Sequence, residues 1–170
     1  MIILGFDPGP DKSAWVIYET TTNKVLNWSN DTPNEALFES IRVNMMGMNV
    51  DVDQVFCESV VNYGMAVGAS TFGTAYMVGR IQQWSDERGI PNHLVTNREV
   101  ANQLTGSTRA KDKHTRRALL DRFPNTGGGK TPEIGIKKQP GPLYGCAGEH
   151  FWSALGVAVY GADHMKGLTK

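Results

Sequence analysis

A chain of 170 residues with 40% hydrophobic content is long enough for one well-packed domain and short for two, so a single domain over residues 1–170 is expected. Its 17 Lys and Arg balance 17 Asp and Glu, and this zero net charge argues against a generally basic nucleic-acid coat. No apolar run approaches a membrane span and no basic-then-apolar segment leads the chain, so no membrane partner is expected and a cytoplasmic setting is. In chain order, Ile2 to Phe6 and Ser13 to Tyr18 read as a hairpin pair, and Lys24 to Trp28 as a third strand after the turn-prone Thr20 to Lys24. Thr32-Pro-Asn-Glu35 has the cap residue, proline and acid of a helix start, and Leu37, Ile41 and Met45 follow at helical spacing. Val52 to Cys57 is a fourth strand; because a helix precedes it, it should pair in parallel with an earlier strand.

Tyr63 to Arg88, with its Gly and Ala among Phe72, Tyr76, Ile81 and Trp84, reads as a long helix packed closely on the sheet. His93 to Thr96 is a short fifth strand, Arg98 to Leu104 a short helix, and Lys111 to Phe123 a basic helix. Pro124 to Pro142, rich in Gly, Pro and Lys, reads as a mobile loop. Thr126-Gly-Gly-Gly-Lys-Thr131 within it evokes a phosphate-binding loop, but Pro124 stands where that fingerprint needs glycine and Pro132 blocks the helix that should follow. The last helix runs from Glu149 to about Asp163 and is apolar enough to be largely buried. Three antiparallel strands followed by alternating helices and strands give an α/β layered domain in the ribonuclease H-like order, a mixed five-stranded sheet with helices on both faces.

Cys57 and Cys146 fit no metal-ligand spacing and read as small buried residues in a reducing compartment. The triplets at Asn27 and Asn30 match glycosylation acceptors but mean nothing without export. Charge is distributed unevenly. The first sixty residues are mostly acidic, whereas Arg109 to Lys138 carries Arg109, Lys111, Lys113, Arg116, Arg117, Arg122, Lys130, Lys137 and Lys138 against three acids. Such a basic segment on a neutral domain is the footprint of a polyphosphate partner, DNA or RNA. The glycines and Lys130 of that segment would form a flexible arm that touches backbone phosphates without reading bases, and Lys137 and Lys138 are further candidate DNA contacts.

Two isolated carboxylates end apolar strands, Asp7 after Ile2 to Phe6 and Glu58 after Val52 to Cys57, and Glu149 opens the last helix. A carboxylate in a strand that wants burial is costly unless a charge compensates it. If the fourth strand lies beside the first, Asp7 and Glu58 meet, and the last helix can bring Glu149, His150 or Ser153 to them. Acids so crowded suit Mg²⁺, with Mn²⁺ as substitute, and two ions about 3.5–4 Å apart can hold the attacking water and leaving oxygen of a phosphodiester. His93, His114 and His164 have no such company and read as structural or solvent-facing.

The chain resembles the RuvC-like Holliday junction resolvases, particularly the short versions carried by phages. The matching segments are Ile2-Ile-Leu-Gly-Phe-Asp7-Pro-Gly with its following strand, Val55-Phe-Cys-Glu58, the Gly/Ala-rich helix, Lys111-Asp-Lys113, and Glu149-His-Phe-Trp-Ser-Ala-Leu-Gly-Val-Ala-Val159. The resemblance implies a homodimeric, metal-dependent endonuclease of phage or bacterial origin. It would nick four-way DNA junctions in pairs during recombination and repair, leaving 5′-phosphate and 3′-hydroxyl ends. It implies Asp7, Glu58 and a last-helix residue as metal ligands. The family's pair in that helix matches His150 and Ser153, so either Glu149 takes over from one turn away or the second metal is weak. The catalytic lysine matches Lys111 or Lys113. Tyr63 falls where such enzymes probe the junction with an aromatic, and Lys12, shortly after the first motif, is a further candidate DNA contact. The Tyr63 to Arg88 helix would form the dimer interface. A ribonuclease H-like nuclease for RNA–DNA hybrids or flaps, and a noncatalytic junction-binding protein whose Ser153 marks a lost metal site, are the alternatives.

Overall fold

Residues 1–62, 64 and 66–167 are described by a computed structural model. The elements run β1 (Ile2–Asp7), β2 (Lys12–Glu19), β3 (Lys24–Pro33), α1 (Leu37–Met48), β4 (Gln54–Glu58), α2 (Ala69–Asp86), β5 (Asn92–Val95), α3 (Asn97–Thr105), α4 (Asp112–Leu120), β6 (Gly135–Ile136), β7 (Gln139–Pro140) and α5 (Glu149–Met165). Five strands form one sheet in the order β3-β2-β1-β4-β5. β1 is antiparallel to β2 and parallel to β4, which is parallel to β5, so the sheet is mixed as the sequence implies. No helix among the described residues is long and apolar enough to cross a membrane.

Strand alternation divides the core into two layers. Ile3, Val16 and Phe56 face α3, α4 and α5, where Leu119, Phe151 and Leu155 are buried with them. Leu4, Phe6, Trp15 and Val55 point the other way and pack with Leu37 and Ile41 of α1 and Met77 and Ile81 of α2. Each large apolar side chain so buried contributes about 1.5–3 kcal/mol before chain entropy is subtracted. α5 crosses the sheet at very short range. A Cβ at Gly5 would stand 2.5 Å from the Ala154 carbonyl oxygen, and one at Gly161 would stand 2.5 Å from the Phe56 ring.

Three local readings change. β3 does not end at Trp28 but runs on to Pro33, through the presumed helix cap, because its pairing with β2 continues to Lys12↔Pro33. The cap-forming side chains serve the sheet instead: Thr32 Oγ1 accepts from Trp15 Nε1 at 3.0 Å, and Asn34 Nδ2 donates to the Gly9 and Pro10 carbonyls. α1 therefore starts at Leu37 without a side-chain cap. α2 begins at Ala69 rather than Tyr63; Tyr63 itself lies outside the described residues. The expected mobile loop 124–142 holds the β6–β7 hairpin, because its glycines let backbone segments touch and hydrogen-bond. Two histidines also gain company: His93 stacks on Phe56 with ring centroids 4.5 Å apart, and His164 stacks on Tyr160.

Candidate active site

The alternation that places Ile3 under α5 places Gly5 and Asp7 on the same face of β1. Gly5 admits Ala154 to near contact, and His150 stands one helical turn before Ala154 on α5. His150 is thereby carried over Asp7, with Nδ1 2.9 Å from Asp7 Oδ2. Ser153, at the next turn, borders the same cleft and favours the charged form of Asp7. On β4, Phe56 and Glu58 share the α5 face, and the parallel register Phe6↔Cys57 sets Glu58 beside Asp7 at the carboxyl ends of the two strands. The start of α5 is fixed from β3: Phe151 N–H donates to Asn30 Oδ1 at 2.9 Å, and Gly148, at φ +100°, leaves room for that side chain.

Burial and charge act strongly on this pair. Desolvation raises the Asp7 carboxyl above its ordinary range, opposed by the hydrogen bond and charge of His150 and by Ser153. Glu58 is pushed up to about 7, first by burial and then by the negative charge of Asp7; Asp112 adds to the rise, while Asn97 and His150 oppose it. An ionised Asp7 can only accept, so the bonded Nδ1 of His150 carries its proton and Nε2 does not when the ring is neutral.

Asp7 and Glu58 border a cleft of about 680 Å³ whose wall also includes Glu149, His150, Ser153, Lys113, Arg116 and Arg117. A smaller cleft of about 220 Å³, bordered by Pro8 and Thr74, shares the two carboxylates. Arg116 lies over the Trp152 ring, 4.6 Å from its centre, so the guanidinium has a fixed, partly desolvated seat. Arg117 pairs with Asp121 at 2.5 Å and with the buried Glu133 at 3.6 Å. Of the two candidate lysines, Lys113 borders the cleft, whereas Lys111 is the exposed residue preceding α4. Lys12 is paired with Asp31 at 3.0 Å. Arg109, Lys130, Lys137 and Lys138 are exposed and do not border the cleft.

Two cleft residues escape a reading of the sequence alone. Asn97, the first residue of α3, borders the cleft and favours the charged form of Glu58, and Asp112, the first residue of α4, opposes it with its own charge. Asn97 lies within the Thr96–Glu99 capping box and Asp112 sits between two lysines, so each has a sufficient local explanation. The one signal available is their shared position as the first residue of a helix.

Among the described residues no three His, Cys, Asp or Glu side chains stand together as a ready-made ligand set. Glu149 reaches the cleft wall, but His150 and Ser153 are the α5 residues that engage Asp7. A partly buried carboxylate pair suits Mg²⁺ all the same, since that ion is commonly held by one or two carboxylates, waters and substrate phosphate oxygens. The mutual repulsion that raises Glu58 is relieved by a cation between the two acids.

No protein-family model and no curated protein matches the chain. Among solved structures it is similar to Thermus thermophilus RuvC, with TM-score 0.68 and 16% identity over 100% of this chain and 99% of that one. It is equally similar to T. thermophilus RuvC in complex with Holliday junction substrate, with TM-score 0.68 and 16% identity over 100% of this chain and 98% of that one. The chain has the ribonuclease H-like α/β fold of RuvC along its whole length.

Proposed function

We propose that the protein is a divalent-metal-dependent endonuclease that cuts four-way DNA junctions. The observation that carries this reading is the side-by-side placement of the partly buried Asp7 and Glu58 at the carboxyl ends of two parallel strands, in a cleft also lined by Lys113, Arg116 and Arg117. The fold shared with T. thermophilus RuvC, which has been solved with a Holliday junction substrate, supports the choice of a branched substrate. Asp7 and Glu58 would hold Mg²⁺ or Mn²⁺, with His150 as the nearest nitrogen donor. When bound, the ion supplies stabilisation of the charge that develops at phosphorus. His150 orients the Asp7 carboxylate through its hydrogen bond, and Ser153 favours the charged form of that carboxylate. Lys113 and the Trp152-seated Arg116 neutralise the phosphate. A water oxygen bonds to phosphorus, the bond from phosphorus to the 3′ oxygen breaks, and that oxygen takes a proton, leaving 5′-phosphate and 3′-hydroxyl ends.

Paired cuts need two copies, and α2 offers the face for a homodimer. Phe72 and Tyr76, one turn apart, are 65% and 71% exposed although both are large aromatics. The function is tested by incubating wild type and Asp7→Asn with labelled four-way junction, linear duplex and RNA–DNA hybrid in Mg²⁺. Wild type should cut the junction in preference to the others, and Asp7→Asn should lose more than about a hundredfold in rate while still binding it. Equal cutting by the variant removes Asp7 from the chemistry; preferential cutting of the hybrid makes the protein a hybrid nuclease; binding with no cutting in Mg²⁺ or Mn²⁺ makes it a junction-binding protein.

A further inference from the structure

The segment between α4 and α5 is glycine-rich yet tightly built. β6 and β7 pair Gly135 with Pro140 and Ile136 with Gln139, which leaves Lys137 and Lys138 as the two turn residues, both exposed. Gly135 has φ +79°, and a Cβ there would stand 2.2 Å from the Gly141 nitrogen; one at Gly127 would stand 2.5 Å from the Pro132 oxygen. These glycines admit backbone to backbone rather than supplying slack. Gly127 N–H donates to the Pro132 carbonyl, Gly128 N–H to Gln139 and Gly141 N–H to Ile134, and Gln139 Nε2 donates to the Thr126 carbonyl. At its base the hairpin is held by the fully buried Leu143 and by Glu133, whose carboxylate lies 3.6 Å from Arg117 on the cleft wall.

We infer that this hairpin is a preformed arm that grips the sugar–phosphate backbone of a DNA duplex leading out of the cleft, with Lys137 and Lys138 as its phosphate contacts. The inference rests on the junction-nuclease reading. Two adjacent ammonium groups at a tight turn repel each other, and among the described residues neither makes an ion pair. A polyanion with regularly spaced charge satisfies both. Lys113, Arg116 and Arg117 border the cleft, and the Arg117–Glu133 pair joins that wall to the arm, so one strand of phosphates can run from the carboxylates to the hairpin tip. Lysine acts there as a point charge and reads no bases. A rigid arm also loses little conformational freedom on binding, which a floppy loop would have to give up.

The test measures junction affinity against salt concentration by fluorescence anisotropy, with Asp7→Asn as the parent so that the DNA stays intact. Combined Lys137→Ala and Lys138→Ala should lower the slope of log affinity against log salt by about 1.8 and weaken binding roughly ten- to a hundredfold at 0.1 M salt. Gly135→Val keeps both lysines but cannot keep the hairpin, and should weaken binding in the same direction. An unchanged slope and affinity in the double lysine variant overturns the arm. Parental affinity in Gly135→Val overturns its rigidity. If thermal melting shows Gly135→Val to be unfolded, the lysine variant, altered only at exposed side chains, decides alone. A parent that fails to bind junctions overturns the nuclease reading and the arm with it, and its own binding curve tells that failure from loss of the arm alone.

Discussion

His150 Nδ1 stands 2.9 Å from Asp7 Oδ2 although the two residues are 143 positions apart, because Gly5 lets α5 lie almost on the backbone of β1. In metal sites a histidine commonly fixes its ring by donating one N–H to a carboxylate and keeps the other nitrogen for the ion. His150 has that arrangement toward Asp7.

His150→Ala should therefore lower the cleavage rate and the affinity for Mn²⁺ by roughly ten- to a hundredfold, with junction binding retained. Single-turnover cleavage and Mn²⁺ titration by electron paramagnetic resonance check this. Wild-type values for both would make His150 a bystander.

Glu58 titrates near 7 in the folded protein against 4.5 ordinarily, so between those values the native state holds a proton that the unfolded chain has released. Without metal, this group's contribution makes stability fall as pH rises from about 4.5 to 7 and leaves it level above. Glu58→Gln removes the decline and should be more stable than wild type at pH 8 by on the order of 2 kcal/mol in chelator. Mg²⁺ should close the gap by stabilising the wild type alone. Parallel pH curves in urea denaturation would contradict the assignment.

A methyl group at position 5 has nowhere to go between β1 and α5. Gly5→Ala should cost about 1–3 kcal/mol in urea unfolding. It should also reduce cleavage beyond that loss, by lifting His150 from Asp7. An unaltered midpoint would mean that α5 does not ride on this glycine.

The lone acids Asp7 and Glu58 were legible because a charge in an apolar strand has no structural reason to be there, and the parallel β1–β4 pairing followed from the helix between them. Other features depend on partners distant in sequence. Thr32 and Pro33 have the chemistry of a helix start, yet Thr32 is claimed by Trp15 across the sheet. Glycines 127, 135 and 141 look the same in a sequence whether they loosen a chain or let it fold on itself, and here they do the latter. Asn97 and Asp112 each satisfy a local rule, and only the packing of α3 and α4 beside α5 brings them to Glu58. Glu149, His150 and Ser153 could not be ranked by spacing; the helix rotation that decides among them is set by Gly5, Gly161 and the Asn30 bond to Phe151.

The exposed Phe72 and Tyr76 of α2 are suited to meet a second copy of the chain. Wild type should sediment as a dimer at micromolar concentration, and Phe72→Glu with Tyr76→Glu as a folded monomer, since both side chains are outside the core. A monomeric wild type would exclude this face.

The proposed cation between Asp7 and Glu58 is tested most directly by anomalous diffraction from a crystal soaked in Mn²⁺. The account predicts a manganese peak in contact with both carboxylates, lost in Asp7→Asn. A map with no ion beside Asp7, and Glu58 turned away from it, would contradict it.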